Sequence, residues 1–436
     1  MLRKKIFGVF VLAMMILPVR TLAADNPQLT KQPEILTLEQ CLDSAFHNNK
    51  QLQEKEKQVS IAEGAVKEAK GGFWPTLNYQ AAREESDVPQ YQIGKTYEDH
   101  DFIAGVNATL PLYTGGMLRN NLKLARIHLD IAREDLRKAK QQLIYDVRQA
   151  YYHVWLAEKV VQVQEASYHN LDQHVNRVQI RYNAETASKL DLMRAKVQRD
   201  TLKPKVISAQ NQLVLAKLQL ATIIGYPKEQ SYQVQYDVTK LQMPDSVGLS
   251  LSQMLNDAEQ NRPELRQIQG KAEINQIITA MEKASYKPNA GLSVGYGGVN
   301  KDVTFEDWYD AWTITFSVGG KLYDRKIHAR IKQAKDNEGL TGIQDANLRD
   351  LIRLEAEQSL QNLTVSIETT RANQASIDLA KEALRMTEIR VDNGMATTMD
   401  IMDAQLALDQ ALTGYYQGIV SYLIAEAKLD LVMGRN

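Results

Sequence analysis

Cysteine is almost missing from this chain: Cys41 is the only one among 436 residues. No intramolecular disulfide is possible, so a chain of this size must be held together by burial. Cys41 falls in the helical pattern Leu38 to Phe46, where a thiol packs as a small apolar group. Net charge is also small, with 52 bases against 53 acids. That balance gives no support to nucleic-acid binding. Apolar runs long enough for a membrane helix, ~20 residues, are missing beyond the N-terminus. His153, His169 and His174 show no i, i+4 pairing and no HExxH pattern, so no metal site is read from them. Gly295-Tyr296-Gly297-Gly298 lacks the Lys-Ser/Thr ending of a phosphate loop. No nucleophile, base and orienter fall into a recognisable motif, so the sequence predicts neither an enzyme nor a cofactor site.

Proline is missing from 118–181 and from 327–390, and glycine nearly so. At ~1.5 Å per residue, each stretch predicts a helical rod roughly 90 to 100 Å long. The segments that return from Asp191 and Asp400 carry a heptad seam. In the second it runs Ile401, Ala404, Leu408, Ala411, Tyr415, Gly418, Tyr422, Ala425 and Leu429. In the first it runs from Leu192 and Ala195 to Leu220 and Ile223, interrupted at Pro204, which is expected to kink the helix or reset its hydrogen bonding. Alternating large and small seam residues suit close pairing of antiparallel helices.

The N-terminus orders a basic group (Arg3-Lys4-Lys5), an apolar run (Ile6 to Leu17) and a small-residue end (Leu22-Ala23-Ala24). This is the pattern of a secretory signal over 1–23, cleaved after Ala23 or Ala24. Its removal leaves a formal charge of −5.

The remainder reads as a duplicated half-molecule. Asn48, Leu52 and Pro75 recur as Asn261, Leu265 and Pro288, and Arg181, Asp191, Leu192 and Ala195 recur as Arg390, Asp400, Ile401 and Ala404. Each copy begins with a helix, continues through a β-strand pair and ends in a long helical hairpin. The first copy covers 24–225, with strands about 74–113 and a hairpin over 115–225. A linker follows over 226–248, with a short strand expected at Val234 to Val238. The second copy covers 249–436, with strands about 286–320 and a hairpin over 322–436.

The strand pairs alternate. Phe102, Ala104, Val106, Ala108 and Leu110 share one face, and Asp310, Trp312, Ile314, Phe316 and Val318 share another. Aromatics stand near the strand ends at Trp74, Tyr113, Trp308 and Tyr309. Apolar-out, polar-in alternation with interfacial aromatics is the pattern of a transmembrane barrel strand. The alternative is a soluble four-stranded sheet packed on the helices, which Asp310 on the apolar face favours. Four strands cannot close a membrane barrel, whose smallest single-chain form has ~8, so spanning requires several chains to share one barrel.

The chain resembles the TolC-type outer-membrane efflux proteins. Leu36-Thr37-Leu38-Glu39-Gln40-Cys41-Leu42 with Asn48 and Leu52 is similar to the family's first-helix motif. Phe73-Trp74-Pro75-Thr76-Leu77 is similar to its first strand entry, and Leu110-Pro111-Leu112-Tyr113 before Gly115-Gly116 to its second strand exit. Arg181-Tyr182-Asn183-Ala184 with Ser188, Asp191 and Leu192 resembles its helical tip turn, repeated from Arg390 to Ile401.

The resemblance implies a mainly α fold with a β-barrel portion, in which a homotrimer forms a twelve-stranded outer-membrane β-barrel on a periplasmic α-helical barrel ringed by a mixed belt. It implies passive passage of cargo from a periplasmic adaptor (membrane fusion) protein and an inner-membrane transporter of RND or ABC type, with outer-membrane lipid around the barrel. It assigns Asp400 and Asp403 to acidic rings that narrow the pore, and Arg181, Asp191, Arg390 and Gly394 to the gate-region turns. Helix N-terminal acids that complement the helix dipole are the alternative reading of these carboxylates. The tyrosine and arginine that close the entrance in the best-known members are replaced by Val391 and Ala396, and Glu185 stands where the first turn usually has glycine. A soluble periplasmic coiled-coil scaffold or adaptor is the other functional class the sequence admits.

Overall fold

The computed structural model describes residues 34–85, 91–92, 95–96, 100–226, 232–236, 241, 243–244, 248–300 and 309–435. The expected signal and Trp308 lie outside them. Strand β1 (Glu34–Leu36) leads into α1 (Leu38–Asn48) and α2 (Lys50–Gly71). Next come β2 (Thr76–Glu85), the two-residue strands β3 (Tyr91–Gln92) and β4 (Lys95–Thr96), and β5 (His100–Thr114). The rods α3 (Met117–Asn183) and α4 (Lys189–Ile224) follow, then β6 (Tyr232–Val234). The second copy is α5 (Leu251–Asn261), α6 (Pro263–Ala284), β7 (Asn289–Asn300), β8 (Tyr309–Gly319), α7 (Arg325–Asp392) and α8 (Thr398–Val432).

The helices of the two copies match in order and length: α1 and α5 have 11 residues, α2 and α6 have 22, and α3 and α7 have 67 and 68. Local sequence explains the shared boundaries. Thr37 with Gln40, and Ser250 with Gln253, form capping boxes that start α1 and α5. Pro263 occupies the first turn of α6, where its missing N–H costs nothing. Gly225 ends α4 at φ 66°, and a Cβ there would meet the Asn48 side chain at 2.5 Å. Pro204 lies inside α4, and the helix continues through it.

The rods form one layer of neighbouring helices. Near the sheet, α3 and α7 pack along α2 and α6; toward the far end they pack along α4 and α8. Arg133 to Glu63 and Gln267 to Asp135 tie the upper part, and Lys217 to Glu158 and Asn170 to Gln405 tie the lower part. The lateral order is therefore α2–α3–α6–α7 above and α4–α3–α8–α7 below, with open sides at α2, α4 and α7. Along the α8 seam Ile401, Ala411, Gly418, Tyr422, Ala425 and Leu429 are buried. Their burial follows the 3-and-4 spacing of the sequence.

Between upper and lower parts, β1 and β6 pair in parallel, with Glu34, Ile35 and Leu36 opposite Tyr232, Gln233 and Val234. The strand expected at Val234 to Val238 thus ends where that expectation began. Tyr232 and Val234 are buried, and Tyr236 leaves the strand to set its ring edge-on against Tyr152 and Trp155. Tyr151 Oη stands 2.7 Å from the Gln235 carbonyl and 3.2 Å from that of Leu36. The main core gathers here, with Cys41 fully buried and its thiol pushed up to about 12, first by burial and then by Glu39.

The long strands form one antiparallel sheet in the order β2-β5-β7-β8. Its register aligns Tyr79, Val106, Tyr296 and Trp312 in one row, and Leu77, Ala108, Val294 and Ile314 in another. The opposite face carries Asn78, Asn107, Gly295 and Thr313, then Thr76, Thr109, Ser293 and Thr315. The aromatic face is bare, with Tyr79 at 88% and Trp312 at 71% exposure. Among the described residues no helix packs on it, so they do not show a soluble sheet packed on helices.

Candidate functional site

Two regions carry the chemistry: the sheet and the pair of turns at the far end of the rods. The sheet's apolar face is as bare as its polar one, which in water exposes a row of aromatics to no partner. Asp310, an acid on that apolar face, has a local partner. Tyr296 Oη donates to Asp310 Oδ2 at 2.7 Å, next to the loop that joins β7 to β8. On the polar face Ser293 Oγ donates to Asn107 Oδ1 at 2.7 Å. Trp74 and Tyr113 are exposed where the sheet meets the helices. Tyr309 begins β8 at the opposite end. Edges β2 and β8 each have one neighbour among the described strands.

The tip turns are near-identical. At the end of α3, Thr186 N–H donates to Arg181 O at 2.8 Å; at the end of α7, Met395 N–H donates to Arg390 O at 2.8 Å. Both close through a left-handed residue, Glu185 at φ 58° and Gly394 at φ 73°. This six-to-one bond with a left-handed closing residue is the Schellman stop, which glycine accommodates without strain. Arg181 extends its Nη1 to the Val391 carbonyl at 3.2 Å, joining the two tips.

The acids at the starts of α4 and α8 serve first as caps. Asp191 Oδ2 accepts from Ser188 Oγ at 2.6 Å and from Ser188 N–H at 3.2 Å. The Ser188 hydroxyl is the main cause holding its carboxyl below the usual range, with Arg194 and Arg181 adding to it. Asp400 Oδ2 accepts from Thr397 N–H at 2.7 Å and from Thr397 Oγ1 at 2.8 Å. The Thr397 backbone bond chiefly depresses this carboxyl, followed by its hydroxyl and by Arg390. Asp403 lies one turn further along α8, exposed at the mouth of a groove. Asp191 and Asp400 thus stand at the starts of the returning helices, favoured as carboxylates and with one oxygen committed to the cap.

Val391 and Ala396 belong to an apolar cluster with Leu171, Leu384 and Ile401. The tips are joined within the chain by this packing, by Arg181 on the Val391 carbonyl and, one turn back, by Arg177 on Glu388 at 3.4 Å. Sequence reading missed a buried acid above them. Asp409 sits at 8% exposure beside Gln405 and Ser167 on the α3 side of α8. Its position, off the quoted seam, gave no periodic signal. Among the described residues no helix is long and apolar enough to cross a membrane, and no group of three or more His, Cys, Asp or Glu could hold a metal.

Comparison with known proteins gives one concordant answer. The family model described as outer membrane efflux protein matches residues 41–226 and again 247–435, one match for each copy of the repeat. The outer membrane efflux protein BepC of Brucella suis is 21% identical over 404 residues, covering 92% of this chain and 85% of that protein. The outer membrane protein TolC of Vibrio cholerae is 22% identical, covering 91% and 90%. A crystal structure of CusC superposes with a TM-score of 0.79 at 18% identity, covering 92% of each chain. At that identity the superposition establishes the fold.

Proposed function

The chain belongs to the outer membrane efflux protein family, and from that premise we propose that it is a passive outer-membrane duct. Homologues named as outer membrane efflux and secretion proteins support the efflux-channel role and the outer-membrane location. One observation carries the finer reading: a four-stranded sheet with a bare aromatic face and two unpaired edges, continuous with a helical layer that is also open at both sides. An open edge is not viable in lipid. Joining β8 of one copy to β2 of the next, and α7 to α2 and α4, closes both layers at once. Three chains supply twelve strands, within the range of membrane barrels.

In this assembly Trp74, Tyr113 and Tyr309 sit at the membrane interfaces, where amphipathic rings are favoured. The helical portion extends into the periplasm, with the β1·β6 belt around its outside. A periplasmic adaptor and an inner-membrane transporter of RND or ABC type deliver cargo to the far end. Threefold symmetry gathers three copies each of Asp400 and Asp403 around the axis, with Arg181, Asp191, Arg390 and Gly394 shaping the turns about them. Arg194 occupies the place of Asp403 in the first copy, so only α8 adds the second acid. Such a constriction attracts cations and holds a multivalent one.

A soluble scaffold or adaptor is disfavoured by the bare sheet, since monomeric soluble proteins rarely leave contiguous apolar surface of this kind. Planar-bilayer recording of the purified oligomer tests the duct. Stepwise conductance blocked by a trivalent cation from the tip side is expected; the absence of any conductance would reject it.

A further inference from the structure

A groove runs over α3 between α4 and α8, with a volume of about 390 Å³, within the ~300 to 1,000 Å³ of small-molecule sites. Its buried acid is Asp409. Gln405 Nε2 donates to Oδ1 at 2.8 Å, and Gln405 is itself held by Asn170 at 3.3 Å. Among the described residues Gln405 is the one well-formed donor to this carboxylate, Ser167 is close enough to lower its pKa as a looser one, and no ion pair involves it. Lys205 lines the groove and favours the charged form without pairing. Ser167, at 1% exposure, lies beside the carboxylate, yet its hydroxyl makes no well-formed hydrogen bond. The buried Ser167 hydroxyl thus lacks a well-formed partner, which is costly to leave so, and Asp409 beside it has only Gln405 as a well-formed donor. Burial pushes the Asp409 carboxyl up, against Ser167, Gln405 and Lys205.

The lining identifies what would satisfy them. A single carboxylate with hydroxyl and amide neighbours is a poor divalent-metal site. A primary ammonium carries three N–H donors, matching Asp409 Oδ2, Ser167 Oγ and the amide oxygen of Gln164 or Gln410, which also line the groove. Leu171, Leu202, Met402 and Leu406 provide apolar walls beside that polar floor. On α3, Gln164, Ser167 and Leu171 lie about half a turn around from Tyr151 and Trp155, which carry the belt. The groove therefore opens on the face turned away from the belt. A second groove of about 610 Å³ continues along α8 from the shared Gly414 and Gln417.

We propose that this groove binds amphipathic primary amines, with the ammonium on Asp409 and Ser167 and the apolar body against Leu171, Leu202 and Leu406. Its role as a cargo station on the tunnel wall rests on the duct reading; the binding itself does not. Calorimetric titration of the detergent-solubilised protein with 4-phenylbutylamine and with the uncharged 4-phenylbutanol separates charge recognition from apolar partitioning. The amine is expected to bind at least about tenfold tighter, as a charge-assisted hydrogen bond implies. Asp409→Asn should erase that preference and Ser167→Ala should reduce it severalfold. Leu406→Trp, at an exposed position, fills the groove without disturbing a buried group and should weaken the amine by a similar factor. Equal binding of amine and alcohol to the unaltered protein, or undiminished amine binding in Leu406→Trp, overturns the proposal. Amine selectivity in a protein without bilayer conductance supports the groove and rejects the duct.

Discussion

Glu185 and Gly394 occupy the same place in the two copies and the same left-handed backbone region, at φ 58° and 73°. Only one of them is glycine. A side chain in this region costs roughly 1 to 2 kcal/mol, so the first tip turn carries strain that the second does not. Glu185→Gly should leave the α3–α4 turn more stable by up to about 1 kcal/mol after the added freedom of glycine in the unfolded chain is counted. Gly394→Glu should destabilise the α7–α8 turn by a similar amount. Hydrogen exchange at the amides of Thr186 and Met395, which donate the closing bonds, reads each turn separately.

The acidic constriction makes a prediction about charge. Asp400→Asn should weaken block by a trivalent cation roughly tenfold or more, as loss of three focused charges implies, and Asp403→Asn should add to it. Asp191→Asn should change block less, because Arg194 and Arg181 already face that acid. Single-channel recording at fixed ionic strength checks all three. Equal effects at Asp191 and Asp400 would contradict a ring confined to the second copy.

A third prediction concerns the ion network that joins α6, α7 and α8. Glu355 accepts from Arg262 at 2.8 Å and from Lys428 at 2.6 Å. Burial alone would raise its carboxyl, but Lys428 and Arg262 outweigh it and the net direction is down. A carboxyl lowered by folding contributes stability above its unfolded pKa of ~4.3 and loses it as pH falls toward the folded value. Glu355→Gln should cost about 1 to 3 kcal/mol at neutral pH, toward the lower end of a broken buried pair because the site is partly exposed. The gap between variant and parent should close below about pH 4. Thermal unfolding across pH measures it.

The sheet predicts an asymmetry between adjacent residues of one strand. Ile314→Arg places a charge on the bare apolar face and should cost about 2 to 4 kcal/mol if that face meets lipid at mid-depth. Thr313→Arg, on the polar face, should be tolerated and should alter ion selectivity. Yield of assembled oligomer in the outer-membrane fraction distinguishes them.

Much of this architecture is legible in the sequence because its elements are long and periodic. A proline-free stretch such as 118–181 and the seam from Ile401 to Leu429 average over many residues, and Arg181 and Asp191 announce the turn by recurring as Arg390 and Asp400. The parts that escaped are short or set by distant contacts. Glu34–Leu36 is three residues long, too short for any period, and exists as a strand because Tyr232–Val234 lies beside it. Pro204 reads as an interruption, yet neighbouring turns carry α4 through it. Asp409 looks like any polar residue near a seam; its burial depends on where α3 crosses α8. Asp310 reads against a lipid-facing sheet, yet Tyr296, two strand positions away in the register, donates to its carboxylate.

The central claim is that this chain is one third of a membrane-embedded tube. Native mass spectrometry of the protein extracted with detergent from fractionated cells tests it directly. The account predicts a species of three chains found only in the outer-membrane fraction. A single chain recovered without detergent in the aqueous periplasmic fraction would contradict it.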